Sequence, residues 1–134
     1  MHIYCTYCSR EKDSAPGNLP AVQRYRSARI ATVAERARDA GVSLCILSGK
    51  YGLIPADHPI PWYDHLLQPE EVPALVETVT AQMAAAGITA VTWFERTSQD
   101  DGEIRPYRQA MEQACRVAEV RLASRQVMAP SDTD

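Results

Sequence analysis

Apolar segments of strand length alternate along this chain with longer segments of helical periodicity, and this alternation limits the folds available to it. Strands are predicted at residues 2–6, 42–47, 88–94 and 120–123, and helices at 18–40, 69–87 and 104–118. Strands that alternate with helices form a parallel sheet covered on both faces, because the crossovers are right-handed. We therefore predict an α/β fold: a single-domain, three-layer Rossmann-like fold with a short, mostly parallel sheet.

The length and the charge of the chain restrict the classes of protein to which it can belong. A chain of 134 residues corresponds to one domain, which we place at residues 1–127, followed by a disordered tail at 128–134. The formal net charge of −3 disfavours nucleic acid as the main partner, because binding to bulk nucleic acid needs a basic face. No secretory signal and no apolar run of about 20 residues is visible. We expect a cytoplasmic protein with no membrane partner, and the sequence leaves its oligomeric state open.

The second predicted strand ends in a glycine-rich segment with polar side chains. In open α/β sheets, ligands bind outside the carboxyl ends of the strands. Glycine permits a positive φ or a close approach of backbone to ligand, and successive N–H groups can form an anion-binding nest. The alternative is a tight loop that needs glycine for its geometry alone. The candidate ligand-binding residues of this segment are Ser48, Gly49, Lys50, Tyr51 and Gly52.

The loop after the first strand is expected to line the same crevice. It carries Cys8, Ser9, Arg10 and Lys12. A cationic crevice rich in hydroxyl groups suits a phosphate or a carboxylate. The alternative is that Arg10 and Lys12 are solvated surface charges.

The long segment at residues 48–68 contains a second group of candidates. Its prolines restrict the chain, so we expect a shaped loop. Asp64 is a candidate catalytic carboxylate, beside Tyr63 as a catalytic residue and His65 as a binding residue. The alternative for the histidines is an ordinary surface loop. The spacing of His58, His65 and the aspartates fits no standard zinc pattern, so we predict no metal and no cofactor.

Other candidates flank these loops. Glu95 follows the third strand and is a second candidate acid or base, with a plain ion pair as the alternative. Tyr25 and Ser27 are placed near the crevice as binding residues. Most of the arginines near the first helix are expected to be solvated: Arg24, Arg26 and Arg29.

The four cysteines allow a redox or zinc interpretation only at Cys5 and Cys8, which form a C-x-x-C motif. Cys45 and Cys115 stand alone, so a second pair of zinc ligands is missing. We favour Cys5 and Cys45 as small core residues on adjacent strands, and Cys8 as a loop residue open to exposure.

The same segments resemble a known group of proteins. The matching positions are Cys8, Ser9, Lys12, Tyr25 and Ser27, then residues 46–54 (ILSGKYGLI) and residues 60–67 (IPWYDHLL). In this order they resemble a family of mostly uncharacterised bacterial, archaeal and phage domains, distantly similar to the peroxide-stress protein YaaA. The resemblance implies an α/β fold and, through YaaA, an association with DNA binding and oxidative stress.

The sequence predicts a small enzyme that acts on a nucleotide or nucleoside, by hydrolysis or exchange of the N-glycosidic bond. Ser9, Lys12, Ser48 and Lys50 would bind phosphate or sugar, and Tyr51 or Tyr63 would stack on the base. Asp64, or Glu95, would stabilise the oxocarbenium charge or activate water. The first alternative is a non-catalytic DNA- or nucleotide-binding stress protein of the YaaA type. The second is a thiol redox protein that uses Cys5 and Cys8.

Overall fold

A computed structural model describes residues 1–96 and 102–127 of the chain. The predicted tail at 128–134 and part of the loop after the third predicted strand lie outside these residues. The strands are β1 (His2–Tyr7), β2 (Leu19–Pro20), β3 (Ser43–Ser48), β4 (Gly52–Pro55), β5 (Pro59–Ile60), β6 (Ala90–Arg96) and β7 (Arg121–Val127). The helices are α1 (Ala21–Arg24), α2 (Ala28–Ala40), a 3₁₀ turn (Pro69–Glu71), α3 (Val72–Ala86) and α4 (Arg105–Ala118).

The central sheet has the order β4-β3-β1-β6-β7. The pairs β1–β3, β1–β6 and β6–β7 are parallel, and β4 joins the edge as an antiparallel strand. Cys5 at the centre of β1 pairs with Cys45 on one side and Trp93 on the other. The prediction of an α/β fold with a mostly parallel sheet is therefore confirmed.

The helices cover both faces of this sheet. Successive residues of a strand point to opposite faces, and Trp93 and Phe94 show this division. Phe94 clusters with Val33 of α2, whereas Trp93 belongs to a core cluster with Met111 of α4. Helix α3 packs against α4 on the second face. The three-layer arrangement follows from right-handed crossovers on either side of β1.

The prediction of one continuous helix at residues 18–40 is wrong. The chain is extended at Tyr25 (φ −83°, ψ 124°), so a short α1 ends there. Ser27 then begins α2 by accepting a hydrogen bond from the backbone N–H of Ile30. Tyr25 also forms an isolated bridge with Lys12 of the preceding loop. Tertiary pairing of this segment outweighs its helical periodicity, whereas the predicted stop at Gly41 is confirmed.

The long loop predicted at residues 48–68 contains two strands that the prediction omits. Strand β4 folds back on β3 through a three-residue turn, which Gly52 completes at φ +77°. Strand β5 pairs with the short β2. The predicted helix at 69–87 begins as a 3₁₀ turn and ends at Gly87, and the predicted last strand is present as the longer β7.

Candidate functional site

A crevice lies at the carboxyl end of β1, where the strand order reverses. The chain leaves β1 toward α2 on one face and leaves β6 toward α4 on the other, so the loops after these strands separate. This is the position at which doubly wound α/β sheets bind ligands. A cavity of about 120 Å³ opens there, between the loop after β1, residues 61–68 and the start of α4.

The crevice brings together part of the predicted site. The predicted binding residues Cys8, Ser9, Lys12 and His65 line it, as does the predicted catalytic Asp64. Arg10 lines it as well, together with residues that the sequence analysis missed: Tyr7, Leu66, Glu103, Ile104 and Tyr107.

A cluster of hydroxyl groups lies behind the crevice. The Tyr63 hydroxyl is 2.5 Å from that of Tyr25 and 2.8 Å from Ser48 Oγ. All three residues are buried. This cluster joins the end of β3 to the segment at residues 61–68, so Ser48 and Tyr25 support the crevice wall from within.

The hydrogen-bond directions at Ser48 can be assigned. Its Oγ accepts hydrogen bonds from the backbone N–H groups of Lys50 and Tyr51, at 3.0 and 3.1 Å. Two accepted bonds occupy both lone pairs, so the Ser48 hydroxyl donates to Tyr63. The prediction of an anion-binding nest here is wrong for these two N–H groups, because they donate to Ser48 and not to a ligand. Gly52 serves the geometry of the β3–β4 turn, which is the alternative stated for it.

Burial keeps the tyrosines around the crevice neutral. Desolvation raises the pKa of Tyr25, Tyr63 and Tyr107 well above its usual value, and the neighbouring Cys8 raises each further. Neutral phenols donate hydrogen bonds but do not accept protons as bases at physiological pH. Tyr107 accepts a hydrogen bond from the backbone N–H of Leu67 at 3.0 Å, which fixes residues 61–68 to α4.

Two lysines approach the face of Tyr63 from different loops. Lys12 Nζ is 4.7 Å from the ring centroid, and Lys50 Nζ is 5.8 Å from it. Lys50 also lies over Tyr51, at 5.4 Å. Cations at these distances are attracted by the ring quadrupole. Lys12 lines the cavity, whereas Lys50 and Tyr51, in the β3–β4 turn, do not.

Arg29 holds the floor of the crevice, contrary to the expected solvation. It is fully buried, and its Nη1 donates to Thr6 Oγ1 at 2.7 Å and to the Tyr7 carbonyl at 2.6 Å. Its Nη2 donates to the Cys8 carbonyl at 3.1 Å, and its Cζ lies 3.6 Å from the Tyr7 ring centroid. The guanidinium group thus fixes the backbone at the exit of β1.

Arg24 is a second buried arginine that the sequence analysis expected in solvent. Its guanidinium donates to four backbone carbonyls, those of Asp13, Ala15, Gly17 and Ile60. These carbonyls replace water as acceptors, so the charge can be buried. Arg26 is exposed, as expected. Periodicity alone gives no signal that distinguishes the three arginines.

The two candidate carboxylates occupy different surroundings. Asp64 is exposed and lines the crevice, and no hydrogen bond to its carboxylate is seen within residues 1–96 and 102–127. Glu95 is bound by Arg108, at 2.6 Å and 2.9 Å, and accepts from Trp93 Nε1 at 2.8 Å. Glu95 is not among the residues lining the cavity, and its contacts are those of the ion-pair alternative.

Three further predicted binding residues, His65, Gly49 and Ser27, contact the chain segments around the crevice. His65 Nε2 lies 3.1 Å from the Glu71 carboxylate. A Cβ atom on Gly49 would lie 3.0 Å from Leu67 Cβ, so this glycine allows the β3–β4 turn to pack against residues 61–68. Ser27 caps α2 and does not line the cavity.

The four cysteines are free and buried. Cys5 and Cys45 lie opposite each other on β1 and β3, as predicted, whereas the expected exposure of Cys8 is wrong. Burial raises the pKa of Cys5 well above its usual value, with Cys45 and Cys115 as lesser causes. A high pKa lowers the thiolate fraction and hence the reactivity of Cys5. Across the described part of the chain, no group of three or more His, Cys, Asp or Glu side chains is placed to hold a metal.

Comparison with known proteins gives no match: no protein-family model, curated protein or solved structure matches the chain. The resemblance to YaaA-like domains therefore stays a prediction. Within residues 1–96 and 102–127, no helix is long and apolar enough to cross a membrane.

Proposed function

We propose that this chain is a small enzyme that hydrolyses or exchanges the N-glycosidic bond of a nucleotide or nucleoside. The observation that carries the proposal is the lining of one crevice by Asp64, Lys12 and Tyr107, which come from three separate segments. A carboxylate, a cation and an aromatic ring match the three parts of a nucleotide: the reacting sugar, the phosphate and the base.

Anion binding is assigned to the loop after β1. Lys12 and Arg10 supply positive charge to the crevice, and Ser9 lines it beside them. Ser9 Oγ donates to the Glu11 carbonyl at 2.6 Å, which fixes its position and leaves its oxygen able to accept. Ser48 and Lys50 are not assigned to the anion in this proposal, because neither of them lines the cavity.

The base is assigned to the aromatic side of the cavity. Tyr7 and Tyr107 both line it, with ring centroids 6.4 Å apart. The parts of these rings that line the cavity offer apolar surface against which a planar base can pack. The stacking role predicted for Tyr51 or Tyr63 passes to these rings, because neither of those two tyrosines lines the cavity.

Asp64 is assigned to the reaction itself. Tyr63 is anchored in the core while the next residue, Asp64, is exposed to the crevice. In hydrolysis, the bond between sugar C1′ and the base nitrogen breaks, the water oxygen bonds to C1′, and the base leaves with a proton. A carboxylate promotes this step by stabilising the oxocarbenium-like charge or by taking the proton of water.

The test measures base release by the purified protein from a set of common nucleotides and nucleosides. Asp64→Asn should lower the rate by at least about 100-fold, the scale of a lost general base. Asp57→Asn is the matched control, since Asp57 is an exposed aspartate that does not line this crevice. Absence of base release from every substrate, or equal rates for the two variants, would contradict the proposal.

A further inference from the structure

An ion pair between two residues of the chain lies at the mouth of the crevice. Arg10, in the loop after β1, contacts Glu103, just before α4, and both side chains line the cavity. Both carboxylate oxygens of Glu103 lie 2.5 Å from Arg10 Nη2. The side chains are 65% and 43% exposed, so the pair forms in contact with solvent.

The Glu103 carboxylate binds Arg10 in the way that an anionic ligand would bind it. Guanidinium groups bind carboxylate and phosphate oxygens through the same N–H donors. An exposed ion pair contributes little to stability, because water and salt screen it. An incoming anion of higher charge can therefore displace Glu103 at low cost.

The charges around the crevice favour phosphate as that anion. Arg10 and Lys12 face Asp64 and Glu103 around one cavity. When Glu103 leaves Arg10, Arg10 and Lys12, two cations of one loop, can both contact a single ligand group. A phosphate monoester carries about two negative charges at neutral pH, whereas a carboxylate carries one.

We propose that Arg10 is the receptor for the phosphate of the substrate and that Glu103 is its intramolecular competitor. This inference rests on the proposed function and narrows the substrate to a nucleotide over a free nucleoside. Glu103 holds Arg10 in place in the free protein and gives way when a phosphate binds.

The experiment measures the affinity of the full chain for AMP and for adenosine by calorimetry. Glu103→Gln should bind AMP up to about five-fold more tightly, which corresponds to about 1 kcal/mol, with adenosine unchanged. Arg10→Gln should weaken AMP binding at least about ten-fold, the loss of one charged contact, and leave adenosine unchanged. Glu112→Gln is the matched control, since Glu112 is an exposed glutamate of α4 that does not line this cavity.

A double variant separates competition from a general effect of charge. If Glu103 competes for Arg10, the gain from Glu103→Gln disappears in the Arg10→Gln background. The inference is overturned if that gain persists there, or if Glu103→Gln binds AMP no more tightly than Glu112→Gln. If either of these results is obtained while AMP binds and base release still depends on Asp64, only the inference about Glu103 fails and the proposed function stands. If neither AMP nor adenosine binds any form of the protein, both proposals fail.

Discussion

The hydroxyl oxygens of Tyr25 and Tyr63 lie 2.5 Å apart in the core, although 38 positions separate them in the sequence. Tyr25 belongs to the break between α1 and α2, and Tyr63 to the segment at residues 61–68, which forms one side of the crevice. Ser48 completes the contact from the end of β3. The candidate site is therefore held by buried hydroxyl groups behind it as well as by the residues that line it.

Removal of the Tyr63 hydroxyl should destabilise the protein. In Tyr63→Phe, the buried hydroxyls of Ser48 and Tyr25 lose their partner, which costs about 1–3 kcal/mol. Urea unfolding followed by circular dichroism measures this loss. Tyr4→Phe is the control, since no hydrogen bond of its hydroxyl is seen in the described residues, and it should change stability by less than about 0.5 kcal/mol. Equal stability of the two variants would show that the hydroxyl cluster is unimportant.

A methyl group at Gly49 should displace the segment over the crevice. The new Cβ would lie 3.0 Å from Leu67 Cβ and 3.3 Å from Leu67 Cα, and the backbone atom cannot rotate away. We expect Gly49→Ala to cost about 1–3 kcal/mol, as other overpacked sites do, and to weaken nucleotide binding. Gly102→Ala serves as the control, because a Cβ there would meet no atom of the described residues within 4 Å. Unchanged stability and binding in Gly49→Ala would contradict the tight packing.

Loss of the Arg29 guanidinium should disorder the exit of β1. Arg29→Met leaves the Tyr7 and Cys8 carbonyls without their charged donor. We expect a loss of at least about 2 kcal/mol, since a hydrogen bond to a charged group contributes about 1.5–3 kcal/mol. Arg26→Met, which alters an exposed arginine three positions earlier, should be close to neutral. Thermal unfolding that gives the same midpoint for both would refute this role of Arg29.

Stability should fall at alkaline pH because of buried thiols. Burial raises the pKa of Cys45 and of Cys115 from 9.0 to about 11. The folded state thus holds these protons more tightly than the unfolded state. The resulting stabilisation is complete below pH 9 and is lost as the pH rises toward 11.

Urea unfolding between pH 8 and pH 11 tests this dependence. Each pKa unit corresponds to about 1.4 kcal/mol, so each thiol accounts for a loss of about 2–3 kcal/mol over this range. The double variant Cys45→Ala, Cys115→Ala should lose less stability across the same interval, whatever its stability at pH 8. A slope equal to that of the unaltered protein would mean that these thiols do not titrate differently on folding.

The sequence predicts the layers of the fold better than the details of the site. Apolar runs such as the one at 42–47 identify buried strands, because a strand covered on both faces excludes polar residues. Periodicity does not reveal the break at Tyr25, because that break depends on a bridge to Lys12 and on the burial of Arg24. Such contacts join residues distant in sequence, and local patterns carry no record of them.

The residues of the crevice also divide into those that local sequence patterns reveal and those that depend on long-range contacts. The loop after β1 can be predicted, because the carboxyl ends of parallel strands lie at one edge of the sheet. Asp64 does not follow a parallel strand: it lies on the long loop after β5. Tyr107 and Glu103 are missed, since they come from the start of α4 and approach only through the packing of that helix. The polar character of Ser48 and Lys50 suggests ligand contact, but Ser48 Oγ is satisfied by its own turn.

Locating a bound nucleotide on the protein tests the central claim most directly. Titration of AMP into ¹⁵N-labelled protein should shift the amide signals of Ser9, Arg10, Asp64 and Tyr107, which surround the crevice. A larger cavity of about 670 Å³ provides the contrast, because Met1, Ala85 and Ile88 line it and none of the candidate site residues does. Shifts confined to the first set are the predicted result. Shifts centred on the second set, or no shifts at all, would contradict the assignment of this crevice as the nucleotide site.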